Sequence, residues 1–335
     1  MNFKKILIIR FSSIGDVIIA TSFSRSLKER FPKSDIHFLT KSNYSQLLLN
    51  NPSISKLKRF EPTSKSIFSL YKNLRKENYC AVIDLSSNFR SKLLTLLLSF
   101  STKKIFTYKK HSIHRRLFVR FHRLLPRNSI PIYKRYLRCI EILGVQPFKG
   151  YEVFTSKVDE EKVVSLLAKR VENARGIVVF ATSATYTTKK WPTKYFIALA
   201  KKLNEDFNII LIGGRSEVSQ NREIKKGAKN IVDLTDRLTL IQTASLFKHS
   251  SIVVAHDSGM MHLAQSQNCP TVAIFGSTTR HFGFFPINSN CKVIEADLPC
   301  RPCCVHGRAV CPLGHFDCMR KIEAKRVEKA VRELL

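Results

Sequence analysis

The residues best suited to chemistry fall in three short segments. The first is Ser12-Ser13-Ile14-Gly15-Asp16, a turn-like stretch after the β-rich run Lys5–Phe11. Asp16 is the only acidic residue in the first 28 positions. An Asp at a helix start most often satisfies orphan N–H groups as a cap. At the carboxyl end of a first strand it can instead accept a proton from a bound hydroxyl, because ligands of open α/β sheets bind there. Ser13 and Gly15 would line such a site, with Gly15 permitting a close approach. The loop has neither the G-x-G-x-x-G spacing of a dinucleotide cradle nor the P-loop pattern.

The second segment is His256-Asp257-Ser258-Gly259-Met260-Met261-His262, between a continuous apolar run and a helical stretch. Its backbone N–H groups would form an anion site, with Ser258 and Gly259 letting a phosphate approach. The plain alternative is an ordinary Asp/Ser cap with His262 on the packing face. The third is Thr185-Tyr-Thr-Thr188-Lys189-Lys190-Trp191-Pro192. Lys189 could neutralise a pyrophosphate, and Trp191, the only Trp, would fix the loop. A solvated basic turn is the alternative.

Elements that would position these segments are legible in the pattern. Apolar runs at Lys5–Phe11, Ile36–Thr40 and Cys80–Leu85 alternate with helical stretches, the first opening at Asp16 and closing at Pro32. The rhythm restarts with Ile177–Ala181, Asn208–Gly213, Ser251–Ala255 and Pro270–Phe275, separated by helical stretches at Lys194–Asn204, Glu217–Lys226, Leu240–Lys248 and Gly259–Gln267. Continuous apolar strands are buried on both faces, and strands alternating with helices indicate βαβ units and parallel sheets. The expected fold class is α/β, with two Rossmann-like domains facing across a cleft. Residues 1–155 form the first and 156–320 the second, bridged by a helical Ser156–Arg175. A C-terminal helix in 321–335 is expected to pack back on the first domain.

Taken together, the three segments and several further runs resemble the glycosyltransferase family 9 heptosyltransferases of lipopolysaccharide inner-core synthesis. The matching residues are Ile6–Asp16, Lys189-Lys-Trp-Pro192, Gly213-Gly214 with Glu217, Asp257–Ala264 and Pro270–Gly276. The tail from Cys300-Arg-Pro-Cys303 through Cys311-Pro-Leu-Gly-His315 to Cys318 also matches. The resemblance implies a GT-B fold and an inverting, metal-independent sugar transfer without a cofactor. It implies that Asp16 is the general base on an acceptor hydroxyl. Thr188, Lys189, Glu217, Asp257, Ser258, Gly259, Met260 and His262 would form the donor side, with Lys189 and the Ser258 and Gly259 amides on the departing diphosphate. Donor and acceptor would be ADP-L-glycero-D-manno-heptose and a lipid-linked acidic sugar, a lipopolysaccharide core or lipid A precursor. The chain departs from the family at Gly276-Ser-Thr-Thr-Arg280-His281-Phe282, where contacts near the nucleotide would differ.

Charge bears on the partner. Lys and Arg total 57 against 25 Asp and Glu, a formal +32. Residues 1–150 carry +23 of this, and Leu85–Ile140 contains 14 basic residues and no acidic one. In that stretch Lys109, Lys110, Arg115, Arg116, Arg120, Arg123 and Arg127 interleave with Leu and Phe, which suits an anionic lipid surface. Arg90, Lys92 and Arg135, with Ser13 and Gly15, are candidates for holding the acceptor. No RNP, zinc-knuckle or helix-turn-helix signature is present, so nucleic acid is not expected. The apolar run at the N-terminus is too short for a signal-peptide core and the longest apolar stretch is far below the ~20 residues of a membrane span. The expected location is cytoplasmic, peripheral on the inner face of the inner membrane. Rival readings are a glycosyltransferase of the same fold with another donor, and a non-catalytic basic protein binding nucleic acid or lipid.

Five of the nine cysteines fall between Cys300 and Cys318. Cys300, Cys303, Cys311 and Cys318 are soft ligands in sufficient number for a structural tetrahedral metal, but their spacing matches no common finger or ribbon. In a cytoplasmic chain the cysteines are expected to be mostly reduced, buried or redox-labile thiols are the default for this cluster, and the resemblance implies no catalytic metal.

Overall fold

The computed structural model describes residues 3–61, 66–122, 124, 129–171 and 175–335. Arg123 and Arg127 of the basic stretch lie outside the described residues. The chain divides into two compact units, one of Met1–His111 with Ile132–Phe154, the other of Ser112–Pro131 with Thr155–Leu335.

The first unit runs β1 (Lys5–Ile9), α1 (Ile14–Arg30), β2 (Asp35–Lys41), β3 (Lys56–Phe60), α2 (Ser66–Arg75), β4 (Ala81–Asp84), α3 (Phe89–Ser99) and β5 (Lys104–Thr107). The next helix, α4 (Ser112–Phe121), belongs to the second unit, and α5 (Ile132–Leu137) returns to the first. The five strands are parallel in the order β3-β2-β1-β4-β5. β1 is central, with Ile6 opposite both Ile36 and Ala81, and its Ile6-Leu-Ile-Ile9 run is buried because helices cover both faces. Helix α1 is buried along most of its length although it is rich in Ser and Thr. Those hydroxyls are satisfied: Ser22 donates to the Phe148 carbonyl (2.5 Å), while Ser26 and Thr21 accept from the Phe148 and Glu152 N–H groups (2.8 Å each). Small hydroxyl side chains thus let the returning segment lie against the helix without orphaned backbone groups.

In the second unit follow α6 (Lys157–Ala168), β6 (Gly176–Ala181), α7 (Thr193–Leu203), β7 (Phe207–Ile212), α8 (Val218–Gly227), β8 (Ile231–Asp233), α9 (Leu240–Lys248), β9 (Ile252–His256), α10 (Gly259–Ser266), β10 (Thr271–Phe275), β11 (Cys291–Glu295), α11 (Asp317–Arg320) and α12 (Ala324–Arg332). Six parallel strands stand in the order β11-β10-β9-β6-β7-β8. Val327, Ala330 and Val331 of α12 are buried in this unit's own core, beside Leu199 and Leu203 of α7.

All seven strands expected from apolar runs form, and they are the interior strands of the two sheets. Four more strands were not anticipated: β3, β5, β8 and β11, which are the four sheet edges. Their sequences (KLKRF, KIFT, IVD, CKVIE) are half-exposed and three of them carry lysine. Edge strands need only one apolar side and use charge to discourage pairing, so the continuous apolar signal is missing.

Candidate active site

At the carboxyl end of the first sheet, the chain leaves β1 through Arg10 and Phe11 and turns into α1. Arg10 is buried at 6% exposure. Its guanidinium donates to the Leu85 carbonyl and to Asp16 Oδ1, and lies 5.7 Å from the centre of the Tyr136 ring. The Tyr136 hydroxyl donates to Asp16 Oδ1 at 3.3 Å. Asp16 Oδ2 accepts from the Ser13 N–H at 3.1 Å and from the Ser13 hydroxyl at 2.9 Å. Asp16 is therefore both a cap of α1 and one half of a buried ion pair, and its side chain keeps 17% exposure. Burial opposes its ionisation. The Arg10 charge and hydrogen bond, with those from Ser13, outweigh that and hold the carboxyl below the ordinary carboxylate range. Burial keeps the Tyr136 phenol protonated, well above its usual range.

The loop after β4 braces this pair. Fully buried Asp84 accepts from the Ser86 N–H (2.8 Å), the Ser87 N–H (2.9 Å) and the Ser91 hydroxyl (2.8 Å), and Ser86 Oγ accepts from the Phe11 N–H (2.8 Å). Gly15 is buried in the first turn of α1. Arg90 and Lys92 stand exposed in the first turn of α3, just beyond this loop, and Arg135 is half-buried next to Tyr136. These three share the carboxyl end of the sheet with Asp16, whereas the groups bonded to Asp16 are Arg10, Tyr136 and Ser13. Arg10, Tyr136 and Asp84 were missed by sequence reasoning. The signal for Arg10 was its position, a charge closing an apolar strand four residues before α1 begins.

The second unit has its own cluster. Ser258 is the N-cap of α10, and Asp257, Ser258 and Gly259 stand at its N-terminus, where unpaired amides and the helix dipole favour an anion. Lys189 Nζ pairs with Asp257 Oδ2 at 2.7 Å, and the Thr278 hydroxyl donates to the same oxygen at 2.6 Å. The buried Ser258 hydroxyl has no hydrogen-bond partner among the described residues, an opening a ligand oxygen would fill. Met260 is half-buried in the first turn, and His262 is buried at 3% exposure.

Neighbouring loops are tied to each other. Glu217 is buried, accepting from the Gly214 N–H (3.0 Å) and pairing with Lys190 (2.8 Å), so its oxygens order two loops. The Thr188 hydroxyl is shared among Ser277 Oγ (2.9 Å), the Arg308 carbonyl (3.1 Å) and the Arg308 N–H (2.8 Å), which fastens the Lys189 loop to the Cys-rich segment. Gly276 is required there, since a Cβ would come 2.7 Å from the Thr188 carbonyl oxygen. Arg301 donates to the carbonyls of Gly276 (2.5 Å), Ala296 (2.5 Å) and Thr278 (2.8 Å), setting the loop that carries Thr278. Behind Lys189, the Trp191 N–H donates to His256 Nε2 at 2.9 Å and the indole donates to the Ile322 carbonyl at 2.8 Å. Burial pushes His256 down to about 4, so its ring is neutral and Nε2 can accept.

All nine cysteines are free thiols. Cys300 Sγ lies 3.9 Å from His315 Nε2, but among the described residues no group of three or more His, Cys, Asp or Glu side chains is arranged to hold a metal ion. Among the described residues, no helix is long and apolar enough to cross a membrane.

Two parallel sheets with polar clusters at their strand carboxyl ends are the architecture of the GT-B fold. The chain belongs to glycosyltransferase family 9, the heptosyltransferase family, whose model matches residues 67–313. It is 26% identical to lipopolysaccharide heptosyltransferase 1 of Campylobacter coli, covering 98% of each chain. It is 28% identical to lipooligosaccharide heptosyltransferase 2 of Campylobacter jejuni, covering 96% of this chain and 95% of the relative. The solved E. coli ADP-heptose lps heptosyltransferase II has the same fold, with a TM-score of 0.77 at 22% identity over 98% of both chains.

Proposed function

We propose that this glycosyltransferase moves heptose from ADP-L-glycero-D-manno-heptose onto the inner core of a lipid-linked lipopolysaccharide precursor, with inversion at the sugar carbon. The first unit takes the acceptor and the second the donor. The observation that carries this reading is the pair of clusters just described: an ionised carboxylate in one unit, and a lysine at an anion-favouring helix N-terminus in the other. Inversion by a single displacement needs one base and no second carboxylate nucleophile, by analogy with glycosidases.

The acceptor hydroxyl displaces the Ser13 hydroxyl from Asp16 Oδ2, and Asp16 takes the proton as the hydroxyl oxygen bonds to the sugar carbon. The bond from that carbon to the diphosphate oxygen breaks, and the electron pair leaves with ADP. A carboxylate held ionised by Arg10 is a weak base, so proton transfer comes late, when the attacking oxygen has become acidic. Lys189 exchanges Asp257 for the diphosphate, and the amides at the α10 N-terminus meet the developing charge that a metal would otherwise neutralise. Ser258 Oγ gains an acceptor there, with Met260 and His262 beside it, while Thr188 and Glu217 hold the loops. Arg90, Lys92 and Arg135 meet phosphate or carboxylate on the acceptor. The site of action is the cytoplasmic face of the inner membrane, where the lipid carrier of the acceptor lies. Support for the donor and acceptor comes from the heptosyltransferase relatives.

Calorimetry against ADP-, UDP- and GDP-sugars tests the donor, with the altered Gly276–Phe282 loop as the reason to include all three bases. ADP-heptose is expected to bind at least about tenfold tighter than the other nucleotides' sugars, a difference of about 1.4 kcal/mol. Equal affinity for the UDP-sugars overturns the donor assignment.

A further inference from the structure

Helix α4 packs on the second unit with an unusual division of its faces. Arg115 and Phe118 are buried, Arg115 lying 5.6 Å from the Phe284 ring centre and Phe118 6.1 Å from that of Phe282. The helical repeat then aligns Ile113, Leu117 and Phe121 on the opposite side, with Leu124 beyond the helix end. Their exposures are 74, 47, 46 and 82%. Arg116 and Arg120 border this row and are also exposed. The helix buries one arginine together with Phe118 and shows Ile113, Leu117 and Phe121 outward. α12, packed in the same unit, does the reverse: Val327, Ala330 and Val331 are buried, and its other faces carry Lys and Arg paired with Glu328 and Glu333.

We infer that α4 is a lipid-docking helix, its Ile113–Leu117–Phe121–Leu124 ridge entering an anionic bilayer surface while Arg116 and Arg120 meet the headgroup phosphates. Charge complementarity selects the occupant. The ridge lies within Leu85–Ile140, which has no Asp or Glu to repel an anionic surface. Apolar side chains enter the headgroup–acyl boundary and arginine snorkels to its edge. Nucleic acid would use the cations but leaves the apolar row without a role. A second helix repeats the pattern in the first unit: α3 exposes Phe89 (83%) and Leu96 (61%), with Phe100 (82%) at its C-cap, beside Arg90 and Lys92. This inference rests on the proposed function in one respect, that the acceptor sugar is carried by a lipid.

The test is sedimentation of the full chain with phosphatidylcholine vesicles, with and without about 30 mol% phosphatidylglycerol. Binding is expected only with the anionic lipid. The double variant Leu117→Ser/Phe121→Ser is expected to weaken it at least about tenfold. Arg116→Gln/Arg120→Gln is expected to weaken it about 25-fold at low salt, about fivefold for each arginine, and to flatten the salt dependence. Unchanged thermal stabilisation by ADP establishes that each variant is folded. Equal binding to both vesicle types, or full binding by Leu117→Ser/Phe121→Ser, overturns the inference; a DNA duplex that competes fully with the vesicles does so too. Transfer to a delipidated core acceptor in water reads the proposed function separately: it is retained in both variants, and its absence in the unaltered chain counts against the reaction rather than the docking.

Discussion

The two clusters are near mirror images, and their difference concerns which partner is free to move. In the first unit a carboxylate is held by a cation: Arg10 is buried, bonded to the Leu85 carbonyl as well as to Asp16, and covered by Tyr136. In the second a cation is held by a carboxylate: Lys189 reaches Asp257 through one 2.7 Å contact, and Asp257 has Thr278 as a further partner. A planar guanidinium with several fixed bonds is a permanent part of its site, while an ammonium on a flexible stem exchanges partners readily. Asp16 is thereby fixed in one ionisation state and one place, whereas Lys189, with its single contact, is the side chain we propose to exchange Asp257 for the donor diphosphate.

The largest expected effect comes from removing the fixed carboxylate. Asp16→Asn keeps the shape and the cap acceptor but removes the proposed base, so kcat is expected to fall about 10³-fold with ADP-heptose binding unchanged by calorimetry. Substantial retained turnover would break the comparison at its first half. Lys189→Met is expected to cost about 10²-fold in kcat/KM and to weaken ADP as well. Steady-state kinetics with an ADP titration separate the two sites: the first variant spares donor binding and the second does not.

How much of this was legible in the sequence follows from distance along the chain. The seven interior strands announce themselves because burial on both faces demands continuous apolar runs, as in Ile6–Ile9 and Ile252–Ala255. The four edges do not, because β3 alternates Lys and Arg with Leu and Phe, and β8 has only three residues. Asp16 and Asp257 were readable from their place between a strand and a helix. Their partners split by separation: Arg10 is six residues from Asp16 yet reads as an interruption of a strand, and Tyr136 and Thr278 are brought in only by tertiary packing. Thr188 shows the same limit, since its hydroxyl is claimed by Ser277 and Arg308, about 90 and 120 residues on. The cluster of cysteines invited a metal reading by composition. What the fold makes of that segment is a strap, tied by backbone bonds such as Cys303 N–H to the Ser277 carbonyl at 3.1 Å.

The two sites should also respond differently to acid. In the second unit the loop carrying Lys189 is anchored on neutral His256, whose pKa is about 4 when folded against about 6.5 unfolded. Its folded pKa is depressed, so its contribution is complete above the unfolded value and is lost as pH falls from about 6.5 to 4, where the unfolded chain binds the extra proton. The loss amounts to about 3 kcal/mol, near 10²-fold in the unfolding equilibrium. Urea unfolding followed from pH 7.5 to about 4 should show that slope, and His256→Asn should remove most of it. An unchanged slope in the variant assigns the acid sensitivity elsewhere.

In the first unit acid acts later, because Asp16 is depressed below the carboxylate range. If Asp16 is the base, as proposed, the acid limb of kcat/KM should fall below the ordinary carboxylate pKa of about 3.9. Arg10→Gln removes the charge that sets this. Protonation of Asp16 then begins at higher pH, so the acid limb moves upward, costing about tenfold at pH 5 relative to the unaltered chain while activity at pH 8 changes much less. Because the variant leaves a carboxylate half-buried beside Tyr136, it also loses stability, and assays belong at a temperature where circular dichroism shows it folded. Arg10→Lys keeps the charge and should keep the limb low, even though the bond to the Leu85 carbonyl is lost. If Arg10→Gln and Arg10→Lys have the same pH profile, the charge of Arg10 does not set the state of Asp16, and the contrast between a fixed and an exchangeable ion pair fails.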